Sequence, residues 1–190
     1  MEVMLKNVRI AFCQALLGEA EDYQGNGVFR HSATFLIEPG SANDKAVKDA
    51  IKAEAVNVWA KKADSMLESL KGNSNKYCYQ NGNTKDYDGF EGKMFIGAHR
   101  KKADGRPMLL DSVKDPETGK AAKLTGSEGR IYAGCYVNAK ISIYCQPGQN
   151  SGVRAGLLGV QFAAPGDSFG GAGRAKEDDF DAVDAEDDLA

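Results

Sequence analysis

Residues 131–145 read IYAGCYVNAKISIYC. Ile131, Ala133, Cys135, Val137, Ala139, Ile141, Ile143 and Cys145 hold the odd positions, and all are apolar or small. Tyr132, Gly134, Tyr136, Asn138, Lys140, Ser142 and Tyr144 hold the even ones. Successive side chains of a strand point to opposite faces. Unbroken alternation therefore predicts one long strand, packed on one side and open on the other. Pro147-Gly148 ends it.

The flanking sequence supplies further strands. Residues 3–12 (VMLKNVRIAF) and 28–37 (VFRHSATFLI) read as strands. In the second, Phe29, His31, Ala33, Phe35 and Ile37 share one face, and Arg30, Ser32 and Thr34 share the other. Residues 93–99 (KMFIGAH) and 108–113 also read as strands, as do residues 153–162 (VRAGLLGVQF), where Gly156 and Gly159 permit a bend or bulge. After the second strand, Pro39-Gly40-Ser41 breaks the pattern, and Ser41, Asn43 or Asp44 can cap a helix over residues 44–62. Val47, Ile51, Ala55, Val58 and Trp59 fall at helical spacing, with Trp59 as a core anchor at the helix end. Residues 72–92 read as a polar loop.

Bent strands with one main helix after the second predict a mainly β protein, a small barrel of OB type. Residues 1–164 form this domain. Residues 165–173 (PGDSFGGAG) read as a Gly-rich flexible linker, and the acidic segment that follows, to residue 190, as a disordered tail.

The formal charge of −3 over 190 residues conceals an asymmetry. Residues 177–190 contain 8 of the 27 acids and no Lys or Arg, so residues 1–176 hold 19 acids against 24 bases. A basic body with an acidic tail points to a polyanionic partner for the body. No window of 18 or more apolar residues predicts a membrane span, and no basic segment followed by an apolar one suggests a signal peptide, so the expected compartment is the cytoplasm. Cys13, Cys78, Cys135 and Cys145 form no C-x-x-C pair and are expected to be buried free thiols, with neither metal nor cofactor. Enzyme motifs fare poorly. Residues 166–170 (GDSFG) match G-x-S-x-G but lie in the expected linker, and Thr118-Gly119-Lys120-Ala121 lacks the leading Gly and the hydroxyl of a P-loop.

The open face of residues 131–145 carries the binding hypothesis. Tyr132, Tyr136 and Tyr144 offer rings on which bases of any sequence stack, with Asn138 and Lys140 between them. Arg30, Arg154 and the cluster Arg100, Lys101 and Lys102 are further candidates for phosphate contact. Lys6, Arg9, Lys93 and Arg106 are weaker ones. In the tail, Asp178, Asp179, Phe180, Asp181, Asp187 and Asp188 can occupy a groove built for phosphates, or recruit proteins once DNA displaces them.

The segments LKNVRIAF (5–12), HSATFLI (31–37), IYAGCYVNA (131–139) and GVRAGLLGVQF (152–162) resemble a bacteriophage single-stranded DNA-binding family, long catalogued as a domain of unknown function. The order of elements fits too, with a helix ending in Trp after the second strand and an FGG segment (169–171) before an acidic end. The resemblance covers essentially the whole chain. It implies an OB fold, sequence-independent binding of single-stranded DNA, and a role in phage replication, recombination or repair in the host cytoplasm. It also implies a tail that contacts replication proteins of phage or host. One departure is that the chain ends Asp188-Leu189-Ala190, with Phe180 the nearest aromatic. Two other readings compete: a strand-annealing recombination accessory protein and a structural phage protein. The charge split and the Tyr/Lys face favour the DNA-binding readings over the structural one. The oligomeric state is not encoded legibly.

Overall fold

The computed structural model describes residues 1–170. Strands run over Glu2–Ala11 (β1), Arg30–Ile37 (β2), Tyr79–Asn81 (β3), Met94–Lys101 (β4), Met108–Lys114 (β5), Ala121–Lys123 (β6), Tyr136–Gln146 (β7) and Gly152–Ala164 (β8). Helices run over Gln14–Leu17 (α1), Ala42–Trp59 (α2) and Ala63–Lys71 (α3). The strands form one sheet in the order β3-β4-β2-β1-β7-β8-β5-β6. That sheet closes because β4 also pairs with β8, in parallel, at His99 and Gly156. Strands β1, β2, β4, β8 and β7 therefore make a five-stranded barrel, the OB type expected from the sequence. Strand β5 takes up β8 further along, at Gly159 to Gln161, and carries β6 outward.

The alternation predicted for the central strand holds where β7 lies. Val137, Ala139, Ile141, Ile143 and Cys145 are buried, and the even positions are partly or fully exposed. Residues 131–135, however, are not strand. Gly134 has φ of 105°, and a Cβ there would stand 2.0 Å from the Asp167 carbonyl oxygen, so the chain turns at a residue only glycine can supply. Ile131 and Cys135 are buried all the same. The pattern recorded burial, which here comes without extended backbone. The bulge anticipated in residues 153–162 occurs at Leu158, skipped between the pairs Lys140–Gly159 and Ile141–Leu157.

Helix α2 starts at Ala42, with Ser41 as its cap: the Asp44 N–H donates to Ser41 Oγ at 3.2 Å. Val47, Ala50, Ile51 and Ala55 are buried, and the helix packs on β1 and β7. Ala60, at φ of 48°, stops it after Trp59, which packs partly buried against the core as expected. Helix α3, absent from the sequence reading, follows and buries Leu67 and Leu70. The cysteines are free thiols, and burial pushes the Cys78 thiol up to about 12.

A second, smaller core lies on the outer face of β1 and β2. Ala11, Leu36 and Phe90 are buried there, with Phe95 and Phe169 packed against them. Phe169 differs from the linker reading. Its ring lies 4.0 Å from the Arg9 guanidinium, its N–H donates to the Ala133 carbonyl at 2.9 Å, and a Cβ on Gly89 would stand 2.5 Å from it. Tyr132 Oη donates to the Gly166 carbonyl at 2.9 Å, and the Gly170 N–H donates to Asp88 at 3.1 Å. Contacts with the rest of the domain thus recur from Gly166 to Gly170, where the sequence reads as a flexible linker. The acidic positions Asp178, Asp179, Phe180, Asp181, Asp187 and Asp188 lie outside the described residues.

Candidate nucleic-acid interface

Strands β2 and β4 run antiparallel in unbroken register, with Arg30 opposite Lys101, Ser32 opposite His99, and Thr34 opposite Gly97. His31, Ala33 and Phe35 point inward and are buried, which puts Arg30, Ser32 and Thr34 outside. The closing pair sets Gly156 of β8 beside His99, and Tyr144 of β7 lies opposite Arg154 of β8. Tyr23, Gln24 and Asn26 from the long β1–β2 connection edge this surface on one side, and Gln146 and Asn150 from the β7–β8 hairpin on the other.

The result is an open groove of about 750 Å³. Its floor is low at Gly97, where a Cβ would meet nothing within 4 Å, and Gly156, paired with the lining residue His99, adds no side chain beside it. Glycine inside a strand forgoes side-chain packing and allows a ligand to approach the backbone closely. OB barrels bind oligonucleotides on this part of the fold, the face of the second and third barrel strands flanked by the first and last hairpin loops.

The groove is cationic. Arg30, Lys101 and Arg154 form no ion pair with a carboxylate among the described residues. Arg30 is oriented by one donated hydrogen bond, to the Val28 carbonyl at 2.8 Å, and Arg154 by one to the Asn75 carbonyl. Each guanidinium keeps further N–H groups for a ligand. The nearby rings are available too, Tyr23 being 61% exposed and Tyr144 39%. Ser32, Thr34, Gln146 and Asn150 add uncharged hydrogen-bonding groups. The arrangement can hold an extended phosphate chain and stack bases beside it.

His99 reports the local field. Burial, and then the positive charges of Arg30, Arg154 and Lys101, hold its pKa below the ordinary value of 6.5. A phosphate placed among those cations would offset their charge and favour the imidazolium, so binding takes up a proton. Affinity for a single strand should therefore rise as pH falls through the pKa of the complex toward the lower pKa of the free protein, by up to about tenfold for each unit that the ligand raises the pKa. His99→Gln should flatten this profile in anisotropy titrations between about pH 5.5 and 8. An affinity that falls on acidification in the wild type would contradict the assignment.

Of the residues singled out from sequence, Arg30, Lys101, Tyr144 and Arg154 are brought together in the groove. The others are not. Tyr132 holds Gly166, and Tyr136 lies with its ring 5.7 Å from the Arg9 guanidinium. The Asn138 amide is engaged by the Asn7 N–H and by Gln161. Lys140 pairs with Glu2 at 2.7 Å, and Lys102 lies 3.4 Å from Glu19. Arg100 is turned onto the carbonyls of Asp104 and Gly105. Among the weaker candidates, Arg106 donates to the carbonyls of Leu16, Leu17, Gly18 and Thr125, and Lys93 pairs with Glu38. One strand face does not make one surface here. Barrel strands tilt and coil, and Tyr136 and Tyr144 lie eight residues apart, roughly 27 Å along the strand. The candidate groove also brings in Tyr23, His99, Ser32 and Thr34, which the sequence reading does not name as candidates. The signal for the last three was the pairing of two alternating segments, Arg30-x-Ser32-x-Thr34 and Gly97-x-His99-x-Lys101.

Among the described residues no group of three His, Cys, Asp or Glu side chains gathers to hold a metal ion, and no helix is long and apolar enough to cross a membrane. A family model described as the ssDNA-binding protein of Enterobacter phage Enc34 matches residues 1–190. "Putative protein p50" of Acyrthosiphon pisum secondary endosymbiont phage 1 is 37% identical over 184 residues, covering 95% of this chain and 93% of that protein. Among solved structures, the single-stranded DNA-binding protein from bacteriophage Enc34 in complex with ssDNA is similar with a TM-score of 0.67 and 21% identity, covering 89% of each chain. A second structure, of the single-stranded DNA-binding protein from bacteriophage Enc34, gives a TM-score of 0.64 at 21% identity, covering 94% of this chain and 88% of that one. At this identity the likeness establishes the fold.

Proposed function

The chain belongs to the phage family of the Enc34 ssDNA-binding protein, and on that premise we propose that it binds single-stranded DNA, without sequence preference, in the groove between β2, β4 and β8. The observation that carries this is the set of three cations that have no carboxylate partner among the described residues, Arg30, Lys101 and Arg154, around a floor at Gly97. Phosphate attraction and ring stacking act on any base, so the groove selects strandedness rather than sequence. The family is one of binding proteins, and the chain acts by holding DNA rather than by altering it. Its place is in phage DNA replication, recombination or repair in the host cytoplasm. The acidic residues 177–190 compete with DNA for the body and recruit replication proteins when displaced, a role supported by their charge.

The test is fluorescence anisotropy with an oligonucleotide and its duplex across a salt series. The single strand should bind more tightly, with a slope of log affinity against log salt near −2, from about −0.7 for each of three phosphate contacts. Equal affinity for the duplex would refute the proposal. Deleting residues 174–190 should tighten binding at low salt, and unchanged affinity there would remove the competing role of the tail. Annealing of complementary oligonucleotides by the full chain would shift the assignment toward strand pairing.

A further inference from the structure

The cationic part of the groove is short. From Arg30 to Thr34 it spans about 13 Å along β2. OB folds engage roughly 4 to 16 nucleotides, so a strand lying there continues past the end of the groove. The outer face of the sheet goes on in the direction of β2 to the pair Leu36–Phe95. Here it meets an aromatic group that barrel packing does not fully use. Phe12 follows Ala11, which pairs with Thr34 at the groove's end. Its ring lies 4.9 Å from that of Tyr87, edge to face, and both rings pack on Phe90, at 5.9 and 5.4 Å. Phe90 in turn packs on Phe95 at 5.2 Å. Only the inner members of this cluster are covered: Phe12 is 44% exposed and Tyr87 52%.

Phe12 also adopts φ of 48°, a backbone conformation that a bulky side chain rarely takes. The ring is thereby held out over the second core instead of continuing the strand's alternation. Charge sorts what this surface can accept. Asp86 and Asp88 flank Tyr87, and Asp88 accepts the Gly170 N–H. Carboxylates repel phosphates, so a strand passing here presents its bases to the rings and keeps its backbone toward the cations.

We propose that Phe12 and Tyr87 form a base-stacking subsite that continues the path of the single strand beyond the groove. The proposal rests on the groove being the DNA site. It is tested with full-length protein and a ladder of oligo(dT) lengths, comparing Tyr87→Ala, Tyr87→Phe and Phe12→Leu with wild type. Long oligonucleotides should bind Tyr87→Ala and Phe12→Leu about 5- to 100-fold more weakly, the range expected for stacking of one base. Oligonucleotides short enough to fill only the groove should bind as they do to wild type. Tyr87→Phe should behave as wild type at every length, because stacking needs the ring and not the hydroxyl. Tyr87 is exposed, so its substitution should leave the melting temperature nearly unchanged and serves where Phe12→Leu perturbs folding.

Wild-type affinity of both ring variants for long oligonucleotides, with binding still weakened in Arg30→Ala, would overturn the subsite and spare the groove. An equal loss at every length would also overturn it, since the rings would then be shaping the groove itself. Absence of single-strand binding by the wild type would refute the function first, and the subsite with it.

Discussion

Replacing Arg30 and Arg154 together with alanine should weaken binding of a single strand by about 100-fold at moderate salt, two charge-assisted contacts being worth about 3 kcal/mol in all. The salt slope should flatten by about 1.4, because two of the three phosphate contacts disappear. Folding should be little affected: each guanidinium makes one hydrogen bond to a carbonyl and no ion pair among the described residues. A steric variant separates charge from shape. Gly97→Val adds a β-branched side chain where a Cβ meets nothing within 4 Å, so the strand should tolerate it while the groove floor rises. Weaker binding with an unchanged salt slope and an unchanged melting temperature would place the strand over Gly97. Full affinity in Gly97→Val would place it elsewhere.

The largest single loss of stability outside the apolar core should come from Asp44→Ala. Asp44 is only 3% exposed, yet it is ionised in the fold. Burial by itself would raise its pKa, but hydrogen bonds from Lys48, Tyr79 and the Gly40 N–H together hold it below the ordinary value. Tyr79 Oη donates to it at 2.7 Å, Gly40 N–H at 2.8 Å and Lys48 Nζ at 2.9 Å. Tyr79 is buried too, so truncating Asp44 leaves its hydroxyl with nothing to donate to. Each unsatisfied buried group costs about 1–3 kcal/mol, so a loss of about 3 kcal/mol is expected. In a domain of this size that lowers the melting temperature by about 6–12 °C. Asp44→Asn keeps an acceptor and should lose less. Because the native pKa of Asp44 is depressed, its contribution is complete above the ordinary carboxylate pKa of 3.8 and is lost as pH falls through the native value. Melting that is indifferent to Asp44→Ala would show that the carboxylate is not the hub of these contacts.

Much of the fold was legible because burial imposes the patterns that the sequence displays. The period-2 runs in β2 and β7 mark the inside of the barrel, and Ser41 marks the start of α2. Short β3 and β6 were not legible, since three residues are too few for a period to show. Helix α3 was hidden behind the break at Ala60.

The candidate groove was only half legible, for a different reason. A linear pattern shows which residues share a strand face. It does not show which faces the closure between β4 and β8 sets side by side. Tyr132 and Tyr136 shared the expected face with Tyr144, yet their surroundings bind them to Gly166 and Arg9. Arg30 and Arg154, by contrast, both line the candidate groove, each as a charge in an otherwise mostly apolar strand. Lys140 and Lys102 show the converse, as charges whose partners, Glu2 and Glu19, lie far away in sequence.

The central claim is that the single strand lies in the β2–β4–β8 groove and not along the outer face of β7. Photocrosslinking of the full chain to an oligonucleotide carrying 5-iododeoxyuridine, with the modified peptides mapped by mass spectrometry, tests it directly. Crosslinks should fall on the peptides that hold Tyr23, His99 and Tyr144. Crosslinks confined to Tyr132 and Tyr136, with the groove residues unmodified, would contradict it.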